Sequence, residues 1–171
     1  MKMGTGKTKV ACDLIRLKLK CIDVIIWIAP ASLISSGKYV GEIKKWSRGF
    51  FNKILFYTTE SISKSDEKYF EMREFAGIQK SFCVVDESIL IKNMSALRTQ
   101  RLLNDYHLFD FRIILNGTPI TKSLLDLYAQ ISFLSPNILK MTERQFADNF
   151  LVYFFDGRDP FPPMSKLWLK S

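Results

Sequence analysis

The chain has 171 residues, 47% of them hydrophobic, which is enough for one domain with a real core and too many for disorder throughout. Twenty-five Lys and Arg against 17 Asp and Glu give a net charge of +8, a balance that suits a polyanionic partner, either nucleic acid or nucleotide. No run of about 18 apolar residues can cross a membrane, no apolar stretch before Asp13 makes a signal peptide, and three cysteines without C-x-x-C spacing make neither a metal site nor a disulfide framework, so buried, reduced thiols and a cytoplasmic location are expected.

From the N-terminus, Met3-Gly-Thr-Gly-Lys-Thr8 carries the glycines, lysine and hydroxyl of a phosphate loop, G-x-x-x-x-G-K-[ST]. Glycines let backbone N–H groups close on an anion, and the helix that follows adds unpaired donors and a partial positive charge. Gly4, Thr5 and Gly6 form the turn, Lys7 reaches the β- and γ-phosphates of ATP, and Thr8 ligates Mg2+. Counting back from Gly6, the pattern opens on Met1, so the strand that feeds such a loop is expected to be missing. Val10, Leu14 and Leu17 recur at i, i+4 and i+7, with Ala11 and Ile15 beside them, which predicts an amphipathic helix.

Strand-like and helix-like segments then alternate. Val24 to Ala29 is a continuous apolar run, as in a strand buried on both faces. Lys38 to Trp46 has helical spacing, Ile54 to Tyr57 reads as a strand, and Asp66 to Gln79 as a helix. Phe82 to Val85 is a third strand, Ser95 to Tyr106 a helix and Arg112 to Leu115 a fourth strand. Ser123 opens another helix with Asp126 placed for a capping box, and Thr142 with Gln145 repeats the device. Alternation of this kind predicts an α/β lobe, a mostly parallel sheet with helices on both faces. Residues 1–150 read as that lobe and residues 151–171 as a turn-rich tail, with Asp156-Gly-Arg-Asp-Pro160 and Phe161-Pro-Pro163. His107, the single histidine, reads as structural.

Ligands on such sheets bind at the carboxyl ends of strands, and the remaining motifs lie there. Asp86 directly follows a buried strand and can hold Mg2+ through its water shell. Glu87 points elsewhere and can orient or activate an attacking water. Leu115-Asn-Gly-Thr-Pro-Ile120 is a strand end turning at Gly117, with Asn116 and Thr118 expected to face the γ-phosphate site, so that Gly117 and Thr118 couple nucleotide state to the rest of the molecule.

These residues resemble the amino-terminal ATPase lobe of the Swi/Snf-type helicase-like family, within helicase superfamily two, in its small phage- or bacterium-associated form. Met3–Thr8 is similar to motif I, Ile26-Trp-Ile-Ala-Pro-Ala-Ser-Leu33 to motif Ia, Asp86–Ile89 to motif II and Leu115–Ile120 to motif III. Asp86-Glu-Ser-Ile-Leu-Ile-Lys-Asn93 and Asp126-Leu-Tyr-Ala-Gln-Ile-Ser-Phe-Leu134 extend the likeness over roughly residues 1 to 150. The resemblance implies a RecA-like P-loop lobe, ATP held with Mg2+ between it and a second RecA-like lobe absent from this chain, and movement along double-stranded DNA. It places duplex contact at Pro30, Ala31 and Ser32, with Lys92 either joining them or standing as a solvated loop lysine. Ile89 departs from the pattern, since many relatives carry His there, and the adenine-contacting glutamine segment and the second lobe's arginine are missing too.

Two other readings compete. A nucleotide kinase or GTPase predicts a guanine-reading N-K-x-D or an arginine-bearing lid, and neither is present. A non-catalytic, truncated remnant with weak nucleic-acid or nucleotide binding is the alternative that the start at Met1 suggests.

Overall fold

The computed structural model describes residues 6–121, 123–153 and 167–169. Helix α1 (Lys7–Lys18) leaves Gly6 and leads through a 3-10 turn into β1 (Val24–Ala29). Pro30 caps α2 (Ala31–Ile34), and α3 (Lys38–Trp46), β2 (Ile54–Thr58), α4 (Thr59–Lys64), α5 (Asp66–Ile78) and β3 (Ser81–Asp86) follow. Next come a 3-10 turn over Ser88–Ile91, then α6 (Leu97–Asn104), β4 (Phe111–Leu115), α7 (Leu125–Leu134), α8 (Pro136–Leu139) and α9 (Glu143–Phe150). Strand β5 (Leu151–Tyr153) pairs antiparallel with β6 (Leu167–Leu169). The rest of the predicted tail, residues 154–166 and 170–171, lies outside the described residues.

Strands β2, β1, β3 and β4 form one sheet in that order, and every pairing is parallel. The all-apolar run of β1 is buried along its whole length, as is β3, because a parallel sheet is covered on both faces. Side chains alternate between those faces. Ile25, Trp27, Ala29, Phe82 and Val84 meet Ala11, Cys12 and Ile15 of α1 and Ile43 of α3. Ile26, Ile28, Cys83 and Val85 meet Ile62, Met72, Ala76, Leu102 and Phe133 of the helices from α4 to α7. Leu125, Tyr128, Phe146, Ala147 and Leu151 make a smaller cluster under α9.

The charge divides along the same line. Residues 7–53, which supply α1 and α3, hold ten Lys and Arg against three Asp and Glu, whereas residues 54–171 hold fourteen of each.

Several expectations need correction. Helix α1 forms, but it buries Ala11, Cys12 and Ile15, leaving Val10, Leu14 and Leu17 exposed. Ala11 and Ile15 of the predicted face do meet the sheet, whereas Leu14 and Leu17 turn toward β4. There Leu14 and Leu17 line a groove of about 220 Å³ with Phe82, Phe111 and Ile113. Among the described residues β4 has a strand neighbour on one side only, and all its residues are half-exposed. Ser95 stays outside α6 because its N–H and hydroxyl both donate to the Asn93 side chain, an Asx-type turn. No capping box forms between Ser123 and Asp126, because the Asp126 carboxylate accepts from the Thr121 N–H and hydroxyl, both at 2.7 Å. The Thr142–Gln145 box does form. Cys12 and Cys83 are buried and free, but Cys21 is exposed.

Candidate functional site

The phosphate-loop end and the acid pair meet at the carboxyl edge of the sheet. Gly6, Lys7, Thr8, Leu33, Tyr39, Glu42, Asp86 and Glu87 line one cleft of about 180 Å³. Gly4 and Thr5 lie outside the described residues. Gly6 takes φ +80, a left-handed conformation that a side chain disfavours, and no atom lies within 4 Å of where its Cβ would be. That geometry turns the chain into α1, whose first residue is Lys7 and whose second, Thr8, is buried.

Asp86 ends β3, paired in register with Leu115 of β4. Its carboxylate is held at both oxygens. Oδ1 accepts the Glu87 N–H at 2.8 Å, and Oδ2 accepts the Tyr39 hydroxyl in a short hydrogen bond. The Tyr39 oxygen in turn accepts Trp27 Nε1–H at 2.9 Å. Burial, and then the charge of Asp86, push the Tyr39 phenol far above its usual range, so it remains a donor. Glu87 has φ 51 and ψ 51, left-handed for a residue with a side chain. Asp86 and Glu87 both line the cleft, joined by that turn.

The donor set fits a magnesium–nucleotide complex. A threonine hydroxyl and one carboxylate are hard oxygen ligands, and Mg2+ keeps several waters rather than filling a protein cage. Among the described residues no cluster of three or more His, Cys, Asp or Glu offers such a cage.

Motif III is anchored differently from the expectation. Asn116 turns inward, its Nδ2 donating to Ser88 Oγ at 3.3 Å and to Gln130 Oε1 at 3.2 Å. Gln130, fully buried on α7, also accepts from Ser88 Oγ at 2.6 Å and donates to the Pro119 and Asp126 carbonyls. Ser88, Asn116 and Gln130 therefore tie the acid turn to the end of β4 with no contribution from the Ile89 position. Gly117 is half-exposed and Thr118 exposed, its N–H donating to Asn116 Oδ1 at 3.0 Å. Lys92 is neither free nor merely solvated. Its ammonium donates to Thr121 Oγ1 at 2.5 Å and pairs with Asp126 at 3.3 Å. The links from Tyr39 to Asp86 and from Gln130 to Ser88 span 47 and 42 residues, beyond any local signal.

Pro30, Ala31 and Ser32 lie where β1 passes into α2, at the same edge as the cleft. The Ala31 N–H donates to Glu60 Oε2 at 3.0 Å, fixing this segment to α4. Burial raises the Glu60 carboxyl, but hydrogen bonds from its own N–H, from Ala31 and from Thr59 hold it below the usual range. His107 is exposed beside α6 and touches Tyr106, and it does not line the cleft. No helix among the described residues is long and apolar enough to cross a membrane.

Comparison with known proteins places this architecture. The SNF2-related domain matches residues 52–160. TATA-binding protein-associated factor 172 of Homo sapiens is 39% identical over 153 residues, 77% of this chain and 8% of the relative. The ATP-dependent helicase brm of Drosophila melanogaster is 26% identical over 164 residues, 81% of this chain and 10% of its own length. The SWI2/SNF2 ATPase core of Sulfolobus solfataricus, solved in complex with double-stranded DNA, superposes with a TM-score of 0.67 at 21% identity, over 87% of this chain and 33% of that one. The chain spans a tenth or less of the length of these two curated relatives. A RecA-like α/β lobe, with a parallel sheet ending in the acid pair and a family match over most of the chain, identifies it as a member of the SNF2-related domain family.

Proposed function

We propose that this chain is the ATP-binding lobe of a DNA-dependent ATPase of the Swi/Snf type, working with a second RecA-like lobe across the nucleotide. The observation that carries the reading is the shared cleft, where Lys7 and Thr8 from one end of the lobe meet Asp86 and Glu87 from another. Lys7 binds the β- and γ-phosphates as a point charge, and backbone donors at Gly4, Thr5 and Gly6 and at the start of α1 cradle them. Thr8 and Asp86 hold the metal; Mg2+, when bound, neutralises charge on the phosphate oxygens. Glu87 orients the attacking water and takes up its proton. Gly117 and Thr118 report the state of the nucleotide through the turn after β4.

Pro30, Ala31 and Ser32 contact duplex phosphates, supported by the basic charge of residues 7–53. Such contacts are sequence-blind and weaken with salt. The free cysteines suit a reducing compartment such as the cytoplasm.

The test is binding. A fluorescent ATP analogue with Mg2+ is titrated into the 171-residue chain and into Lys7→Ala, with far-UV circular dichroism to verify folding. Saturable binding that weakens at least about tenfold in Lys7→Ala is expected, since a charge-assisted contact is worth about 1.5–3 kcal/mol. No binding by the unsubstituted chain, or equal binding by both, refutes the assignment.

A further inference from the structure

Asp86 lines the cleft, yet the group that holds it comes from neither the phosphate loop nor the acid turn. It comes from α3, through the hydroxyl of Tyr39. Trp27 directs that hydroxyl. Its indole N–H occupies one side of the Tyr39 oxygen at 2.9 Å, and Trp27 is fully buried in β1, so it cannot swing away. The hydroxyl has one proton to give, and Asp86 Oδ2 receives it. The Glu87 N–H holds the other oxygen. A carboxylate gripped at both oxygens cannot rotate about its last bond without breaking one of two hydrogen bonds, both charge-assisted. Each oxygen still keeps a lone pair for a metal-bound water.

We propose that Tyr39 is a positioning residue for the metal-bound nucleotide, fixing Asp86 so that its carboxylate is oriented before Mg2+ arrives. The proposal rests on the nucleotide-binding reading above and names a residue outside the phosphate loop and acid pair. Its signature is selective. Contacts made by Lys7 and the loop amides to the phosphates do not need Asp86, so affinity for metal-free nucleotide is indifferent to Tyr39. The gain in affinity conferred by Mg2+ depends on it.

The experiment uses the full chain, Tyr39→Phe, which keeps the ring and loses only the hydroxyl, and Trp27→Phe, which leaves the hydroxyl undirected. Affinity for the fluorescent ATP analogue is measured in excess EDTA and in saturating Mg2+. The Mg2+-dependent gain is expected to fall about tenfold in Tyr39→Phe, the scale of a hydrogen bond to a charged group, and by a smaller factor in Trp27→Phe. Binding in EDTA is unchanged in both. An undiminished Mg2+ gain in Tyr39→Phe overturns the proposal while leaving the nucleotide site intact. Equal losses with and without Mg2+ also overturn it, because they mark a general packing role. If Tyr39→Phe does not fold, Trp27→Phe decides on the same criterion. If the unsubstituted chain binds neither form, the nucleotide reading fails first, and this one with it.

Discussion

Glu87, proposed to orient the attacking water, holds a backbone conformation that opposes the stability of the fold. Its left-handed backbone is a conformation that only glycine adopts freely, and the usual cost for other residues is about 1–2 kcal/mol. The conformation persists because neighbours over-determine it. The Glu87 N–H is bound to Asp86, the next residue is clamped by Gln130, and Arg98 Nε holds the Leu90 carbonyl at 2.6 Å. Glu87→Gly should therefore stabilise the chain by about 1 kcal/mol, read as a raised thermal midpoint, while removing the carboxylate. Glu87→Gln keeps the strain and should leave the midpoint within a degree or two. A lower midpoint for Glu87→Gly would show that the turn carries no strain.

Elements were legible where their burial was simple. Val24–Ala29 and Lys38–Trp46 match their observed bounds because one is apolar throughout and the other is cleanly amphipathic. Helices α2 and α4 were not legible, being four and six residues long and set by Pro30 and by the Thr58–Ser61 capping box. The face of α1 is legible only in part: Ala11 and Ile15, read beside the stripe, are fully buried, whereas Val10, Leu14 and Leu17 stay exposed. At the site, Lys7, Thr8, Asp86 and Glu87 were visible as local strings. Tyr39 reaches Asp86, and Gln130 reaches Ser88, through tertiary contacts that no window of sequence contains.

The stripe left exposed on α1 leads to a prediction at this scale. Apolar side chains beside a strand edge with no neighbour among the described residues form a template for another strand. The chain studied alone should self-associate through β4 and the Leu14–Leu17 groove. Leu14→Lys with Leu17→Lys should shift sedimentation toward monomer without lowering the thermal midpoint, since both side chains are already exposed. A monomeric, cooperative transition in the unsubstituted chain would contradict this.

At the scale of the whole molecule, the proposed ATP site brings Lys7, Thr8, Asp86 and Glu87 together. Among the described residues no arginine lines the nucleotide cleft. In related phosphoryl transfer an arginine brought against the γ-phosphate is worth about 10³–10⁵ in rate. Assayed alone with Mg-ATP and saturating duplex DNA, the chain should release phosphate at or near background. DNA-stimulated release that vanishes in Lys7→Ala would show that it needs no partner lobe.

The uneven distribution of charge has a consequence for how such a lobe meets a polyanion. Residues 7–53 carry a net charge of +7 and residues 54–171 of zero, so the charge is lopsided as well as positive. In the field of a phosphate backbone it experiences a torque, not only an attraction. Encounters then arrive already turned, with the basic side leading. Both effects fade once partners are separated by more than the screening length, about 8 Å at physiological ionic strength. Added salt should therefore randomise the angle of approach as well as slow the approach itself.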